Sequence, residues 1–325
     1  MDYASECNTQ GEDRQPAWQF LMVRKRLPPL VWRKVISASW AWSLSAAGRR
    51  AKRGLLSCCR MPASHISKRK TEPRIVSLAP SCTSILCALG AKRHLVAVTP
   101  WCGDVASVRG LPVVGDCWRN ESIEKIARLG PTLIVGSVPF HPETVARVLT
   151  IPAQFLALNP RSLADIESDI RALARLTDRA ATGERQILRM RKDFAHIQRH
   201  TSKFSRAPKI YSEAWPNPRI SSPPWVSELI SLCGGRMVGK PGARVSDEDV
   251  ASARPDIILL AWAATGKRAN PQKTLDHRLW QSLPAVRNKR VFVIRDELLN
   301  TPGPPLVAGA REISRILKEF SGVSA

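Results

Sequence analysis

One stretch of this chain is written twice. Val114-Gly115, Ser122, Glu124, Ile126-Ala127, Pro131 and Leu133-Ile134 recur as Val238-Gly239, Ser246, Glu248, Val250-Ala251, Pro255 and Ile257-Ile258, every pair separated by 124 positions. Self-similarity on that scale marks a supersecondary unit used more than once. Upstream, KIYSEAW at 209–215 occupies the place that RIVSLAP occupies at 74–80. Downstream, KRVFVI at 289–294 answers QFLAL at 154–158. Two equivalent halves with a cleft between them are therefore expected.

The pattern inside each half fixes the class. RIVSLAP is a short β-branched strand stopped by Pro80, and 81–89 reads as a helix closed by Gly90. Strands are expected again at 94–99, 132–136 and 154–158. Between them lie helical stretches at 142–149 and after Ser122, an expected N-cap. Strand and helix alternating in this way argue a parallel α/β architecture.

The halves are joined by helix. Leu163, Ile166, Ile170, Leu173 and Leu176 fall at helical spacing, as do Ile187, Met190, Phe194 and Ile197. The second helix is expected over about 178–203, with Gly183 its weak point, and at ~1.5 Å per residue would span roughly 40 Å. A strut of that kind favours small relative motions over large ones. The expected organisation is a basic leader or tail at 1–73, an α/β lobe at 74–160, a helical linker at 161–205 and a second α/β lobe at 206–325.

Charge is uneven. Of 50 Lys+Arg and 27 Asp+Glu, residues 1–74 hold 15 and 5. Elsewhere the cations are scattered along helices and loops rather than gathered into a stripe with interleaved aromatics, so no nucleic-acid partner is expected. The segment 35–48 after Arg33-Lys34 approaches a signal-peptide core but is broken by serines. Leu55-Leu56-Ser57-Cys58 approaches a lipid-attachment box. Neither completes an export signal, which leaves extracytoplasmic and cytoplasmic placements both open. Eight cysteines show no zinc spacing and are expected to be mostly free thiols; Cys102 and Cys117 flank one loop and would be the pair to bond if exported.

No catalytic signature is present: no GxSxG, phosphate-binding loop, dinucleotide fingerprint or HExxH, and no catalytic residue is assigned. His196 and His200 have i, i+4 spacing but lie on a basic solvent face, and no metal site is expected. The chemistry-bearing residue is tryptophan. Trp101, Trp118, Trp215, Trp225, Trp262 and Trp280 all follow strands or occupy loops. In α/β folds that edge binds ligands. An indole there supplies a rigid apolar face and one donor. Trp280 and Trp262 are read as packing residues; Trp101, Trp118, Trp215 and Trp225 are expected to line the cleft.

Taken together, RIVSLAPSCTSILCALGA, VTPWC, LPVVGDCW, SIEKIARLGPTLIV, EAWPNPRISSPPWVSELISLCGG, DEDVASARPDIILL and NTPGPPLVAGAREI resemble the substrate-binding proteins that deliver cobalamin to ABC importers. The first piece is shared with siderophore- and haem-binding relatives, which form the alternative. The resemblance implies two Rossmann-like lobes bridged by one long helix, the class III periplasmic binding protein architecture. It implies a non-enzymatic, monomeric carrier outside the cytoplasmic membrane, with cobalamin as ligand, no catalytic cofactor and ABC permease subunits as partners. A cytoplasmic corrinoid-holding module is the rival placement. Carried over, Trp118 would face the corrin from the first lobe and Trp225 from the second, with Trp101 and Trp215 beside them. Pro80 and Ser81 would supply first-loop contacts, Asn217 a rim donor (with Asn300 and Ser221) and Gly303 the late loop. Glu124 would be one transporter-docking carboxylate, and Glu228 the nearest acid to the second.

Overall fold

The computed structural model describes residues 72–119, 123–201, 206–263 and 270–321, and 72–325 form one compact unit. Ser122 and the leader with its expected signals lie outside the described residues. The first half runs β1 (Ile75–Ser77), α1 (Pro80–Ala88), β2 (Leu95–Ala97), α2 (Ile123–Arg128), β3 (Leu133–Ser137), α3 (Pro142–Val148) and β4 (Gln154–Leu158). Two helices follow, α4 (Leu163–Leu176) and α5 (Ala180–Arg199). The second half runs β5 (Lys209–Pro216), β6 (Arg219–Ser221), α6 (Pro224–Leu232), β7 (Arg236–Met237), α7 (Asp247–Ala253), β8 (Ile257–Leu260), α8 (Gln272–Leu275), α9 (Pro284–Arg287), β9 (Val291–Val293) and α10 (Leu306–Phe320).

The duplication is real in three dimensions. Sheet one has the order β2-β1-β3-β4, all parallel; in sheet two β7, β5, β8 and β9 repeat that order in parallel. The antiparallel β6 is added to the outer part of β5. The offset of 124 carries Ile123 onto Asp247 and Leu133 onto Ile257, the first residues of α2 and α7 and of β3 and β8. Several helix starts are encoded locally: Ser246 accepts from the Asp249 N–H in a complete capping box, and Pro80 and Pro142 open their helices where no N–H is needed.

Strand alternation divides the interior. Ile75, Leu133, Val135, Ile210, Ile257 and Leu259 point into one continuous core shared by both halves and filled by α1, α4, α5, α6 and α10. Val76 and Ile134 face a second cluster, and Tyr211, Ile258 and Leu260 a third. Ile166, Ile170 and Leu173 on α4 are fully buried as the spacing predicted, whereas Leu176 at the helix end is 39% exposed.

The strut is shorter than expected: 20 residues, about 30 Å, ending at Arg199. Gly183 is also no weak point. A Cβ there would lie 2.6 Å from the Ala174 Cβ, so glycine lets α5 close onto α4. Helix α5 packs on α4 on one side and on α6 and α10 on the other, bracing the halves. Among the described residues no helix is long and apolar enough to cross a membrane.

Candidate functional site at the carboxyl ends of the strands

The turns leaving β1, β2, β3, β5, β8 and β9 lie at the carboxyl edges of the two sheets, where open α/β sheets receive ligands. In the first half Pro80, half-buried, opens α1 directly after β1, and Ser81 is buried with its carbonyl accepting from the Ser84 hydroxyl. Trp101 is half-buried in the 3-10 turn after β2. That turn is fixed from below by Cys102, whose sulfur lies 3.0 Å from the Thr83 hydroxyl and 3.1 Å from the Thr99 hydroxyl.

Trp118 is 38% exposed. Its loop is closed by Asp116, one carboxylate oxygen of which accepts the N–H groups of Trp118 at 2.8 Å and Arg119 at 2.7 Å. The start of α3 holds the same loop: the His141 N–H donates to the Cys117 carbonyl and the Thr144 hydroxyl to the Trp118 carbonyl. The His141 ring stands edge-on to the Trp118 indole, centres 5.5 Å apart.

The cysteines in this region are free. Cys102 and Cys117 do not pair: the first faces two threonine hydroxyls, and the second is packed against Gly136, where a Cβ would lie 2.3 Å from its sulfur. Burial pushes the Cys117 thiol up to about 12, so it stays protonated and inert.

In the second half Trp215, at the carboxyl end of β5, is 38% exposed and donates its indole N–H to the Asn217 carbonyl at 2.8 Å. Asn217 is exposed in the turn joining β5 to β6. Trp225 is a different matter. It is 3% exposed, lies in the shared core and donates to the Leu299 carbonyl at 2.8 Å. The expectation that Trp225 walls the cleft is corrected: the first turn of α6 carries its indole into the interior, where it bonds to Leu299 in the 296–300 turn. Gly303 is also buried, against α1, where a Cβ would lie 3.0 Å from the Ser84 hydroxyl. It permits close approach of the late loop to the first helix and offers no surface of its own. Asn300 donates one amide N–H to the Ala261 carbonyl, and the buried Ser221 hydroxyl donates to the Lys240 carbonyl, so the Ser221 hydroxyl is turned inward and does not serve as a rim donor.

Beneath Trp215 the structure reveals a network that sequence reading missed. Glu213 is fully buried and accepts from the Tyr211 hydroxyl (3.0 Å), the Trp262 indole (2.8 Å) and the Arg219 guanidinium (2.5 Å). Arg219 continues to Asp247 at 2.7 Å and stacks over Trp280, and Asp247 also meets His277 at 3.1 Å. Burial drives the Glu213 carboxyl above its usual range, and the charge of Arg219 with the hydrogen bonds from Arg219, Trp262 and Tyr211 offsets only part of that rise. The signal was present in alternation: Glu213 occupies an inward register position of a core strand. Trp280 is buried and Trp262 nearly so, both as packing residues.

Of the two acids assigned to docking, Glu124 is exposed on the first turn of α2 and reaches Arg147 at 3.6 Å. Glu228 is exposed too, yet one oxygen accepts the Leu163 N–H at 3.0 Å and so closes the amino end of α4.

A cavity of about 460 Å³ lies between α1, the turn after β2 and the 295–305 segment, lined by Ser84, Asp104, Ser107, Arg295, Leu298 and Pro304 among others; Pro80, Trp101, Trp118, Trp215 and Asn217 are not part of its lining. No group of three or more His, Cys, Asp or Glu side chains suited to a metal occurs among the described residues.

Known proteins share the architecture. The vitamin B12-binding protein of Photorhabdus laumondii is 24% identical over 254 residues, 76% of this chain and 88% of that protein. The crystal structure of the periplasmic vitamin B12 binding protein of Vibrio cholerae superposes with a TM-score of 0.63 at 25% identity, covering 77% of this chain and 98% of that one. A periplasmic heme binding protein of the same organism superposes at 0.65 with 21% identity, over 76% and 99%, a likeness of fold. Residues 75–298 match the periplasmic binding protein family model, and with its duplicated parallel sheets braced by one long helix the chain belongs to that family.

Proposed function

We propose that this chain is a non-catalytic carrier that binds one corrinoid between its halves and delivers it to the permease of an ABC importer outside the cytoplasmic membrane. The observation that carries the reading is the placement of two part-exposed indoles, Trp118 and Trp215, on the carboxyl edges of the two sheets, in a chain whose relatives are named for vitamin B12. A corrin is a broad, mostly apolar disc fringed with amides, so it suits rigid aromatic walls with polar groups at the margin. Trp101 and Pro80 extend the wall of the first half, and Asn217 supplies the margin of the second. Trp215 takes over the part assigned to the interior Trp225.

Docking rests on charge. Glu124, and the oxygen of Glu228 that does not cap α4, would meet cationic side chains on the permease and set its register. Isothermal titration tests the reading: cyanocobalamin is expected to bind one to one and not to be displaced by equimolar haemin. Absence of binding, or displacement by haemin with stronger binding of haemin itself, overturns it in favour of the haem alternative.

A further inference from the structure

We propose that the solvent side of α5 is a membrane-contact surface that seats the protein on anionic phospholipid headgroups. The identity of the ligand plays no part in this. At 3.6 residues per turn, Arg185, Arg189, Lys192, His196 and Arg199 fall on one side of the helix, opposite the buried Ile187, Met190, Phe194 and Ile197. All five are exposed. From Arg185 to Arg199 the row runs about 21 Å at ~1.5 Å per residue.

The row keeps its charge because the acids near it are bound to other cations. Helix α5 contains two acids, Glu184 and Asp193, and both stand on its flanks. Glu184 pairs with Arg171 of α4 at 2.8 Å, and Asp193 with Arg311 of α10 at 3.0 Å. Glu167 of α4 is held by Arg191 at 2.5 Å and by Arg171 at 3.9 Å. Arg185 donates to the neutral Thr182 hydroxyl at 2.8 Å. Among the described residues no carboxylate lies within ion-pair distance of Arg185, Arg189, Lys192 or Arg199. Like charges three and four positions apart on a helix repel one another. An anionic cover removes that repulsion.

The shape of the row selects the kind of cover. Helix α5 is packed against α4 on one flank and α6 and α10 on the other, so its free side is a straight, convex edge that suits a plane better than a groove. Leu188 stands inside the row and is 60% exposed. Cations that reach phosphates beside an apolar side chain that reaches the acyl boundary are what a helix lying at headgroup level presents. A rigid polyanion such as duplex DNA gains nothing from the leucine, and the row holds no Trp, Tyr or Phe to stack on bases.

Co-sedimentation of the full chain with lipid vesicles tests the assignment. The chain is expected to bind vesicles of equal parts phosphatidylglycerol and phosphatidylcholine, to leave vesicles of phosphatidylcholine alone, and to be released by high salt. Each Lys or Arg held at an anionic surface strengthens binding by about fivefold. The combined change Arg185→Gln, Arg189→Gln, Lys192→Gln and Arg199→Gln is therefore expected to weaken binding by about thirtyfold or more. Removing as many exposed cations elsewhere, by Arg128→Gln, Arg236→Gln, Lys240→Gln and Arg287→Gln, is expected to change it by less than about threefold, since charge acts only near the surface it meets. The basic leader is the same in both variants. Leu188→Ala is expected to weaken vesicle binding by about threefold or more and to leave retention on heparin unchanged.

Equal losses in the two fourfold variants would overturn the proposal, because net charge would then suffice. Undiminished vesicle binding in the α5 fourfold variant or in Leu188→Ala overturns it as well. So does a parent chain that ignores the mixed vesicles yet is retained on heparin or duplex DNA through the same four cations.

Discussion

In the first half of the molecule the turn that carries Trp101 is tied down by neutral groups, the Cys102 thiol between the hydroxyls of Thr83 and Thr99. In the second half the hairpin that carries Trp215 stands on a buried charge relay from Glu213 through Arg219 to Asp247. The strand order is the same and the loops leave the same edge, so the fold decides where a cleft residue is placed. What holds it there was free to diverge. Neutral pairs of this kind contribute about 1 kcal/mol each. A buried ion pair adds little over an apolar packing but makes loss of either partner expensive.

The largest effect should come from breaking that relay. Glu213→Ala leaves Arg219 without its buried partner and is expected to cost about 3–5 kcal/mol in urea unfolding. Thr83→Val, which removes one hydroxyl from the first-half anchor, should cost about 1 kcal/mol. Equal costs would erase the contrast between the halves. Trp225→Ala belongs with the large effects, about 3–5 kcal/mol, because a buried indole and its bond to Leu299 are lost together. Trp118→Ala should cost less than about 1 kcal/mol in the same assay.

These tryptophans show how far the sequence could be read. The offset of 124, the strand–helix alternation and the stripes on α4 and α5 were enough for two parallel sheets braced by helices, because burial period is written directly in residue order. Whether a tryptophan after a proline pair faces a cleft or a core is not written there. Trp215 and Trp225 are ten positions apart, both flanked by proline and both in segments that follow a core strand. Only the direction of the first turn of α6 separates them, and the contact that the inward direction makes, with Leu299, lies 74 residues away. Glu213 escaped for the same reason, since its partners Arg219, Tyr211 and Trp262 meet it only once β5, β6 and β8 are paired. Glu228 was singled out as a surface acid, and its bond to Leu163 lies across the fold.

A smaller effect sharpens the role of the charge partner. Asp169 on α4 is a half-buried carboxyl with no hydrogen-bond or ion-pair partner among the described residues; burial, with Asp165 nearby, pushes it up to about 7. An unfolded aspartate titrates near about 3.9. Between those values the native chain binds the extra proton, so the contribution to stability is full below about pH 4 and is lost as pH rises through about 7. Asp169→Asn should therefore raise Tm by about 2–4 °C at pH 8 and leave it unchanged at pH 4. A gain of equal size at both pH values would mean that repacking, not charge, is responsible.

The measurement that bears most directly on the whole account is the dissociation constant for cyanocobalamin in three single variants, Trp118→Ala, Trp215→Ala and Trp225→Phe. Loss of a stacked wall is worth about 1.4 kcal/mol or more, a factor of ten. The first two are predicted to bind at least tenfold more weakly than the parent chain, and the third, whose ring stays in the interior, to bind within about threefold of it. Undiminished affinity in the Trp118 and Trp215 variants would contradict the placement of the ligand between the two carboxyl edges.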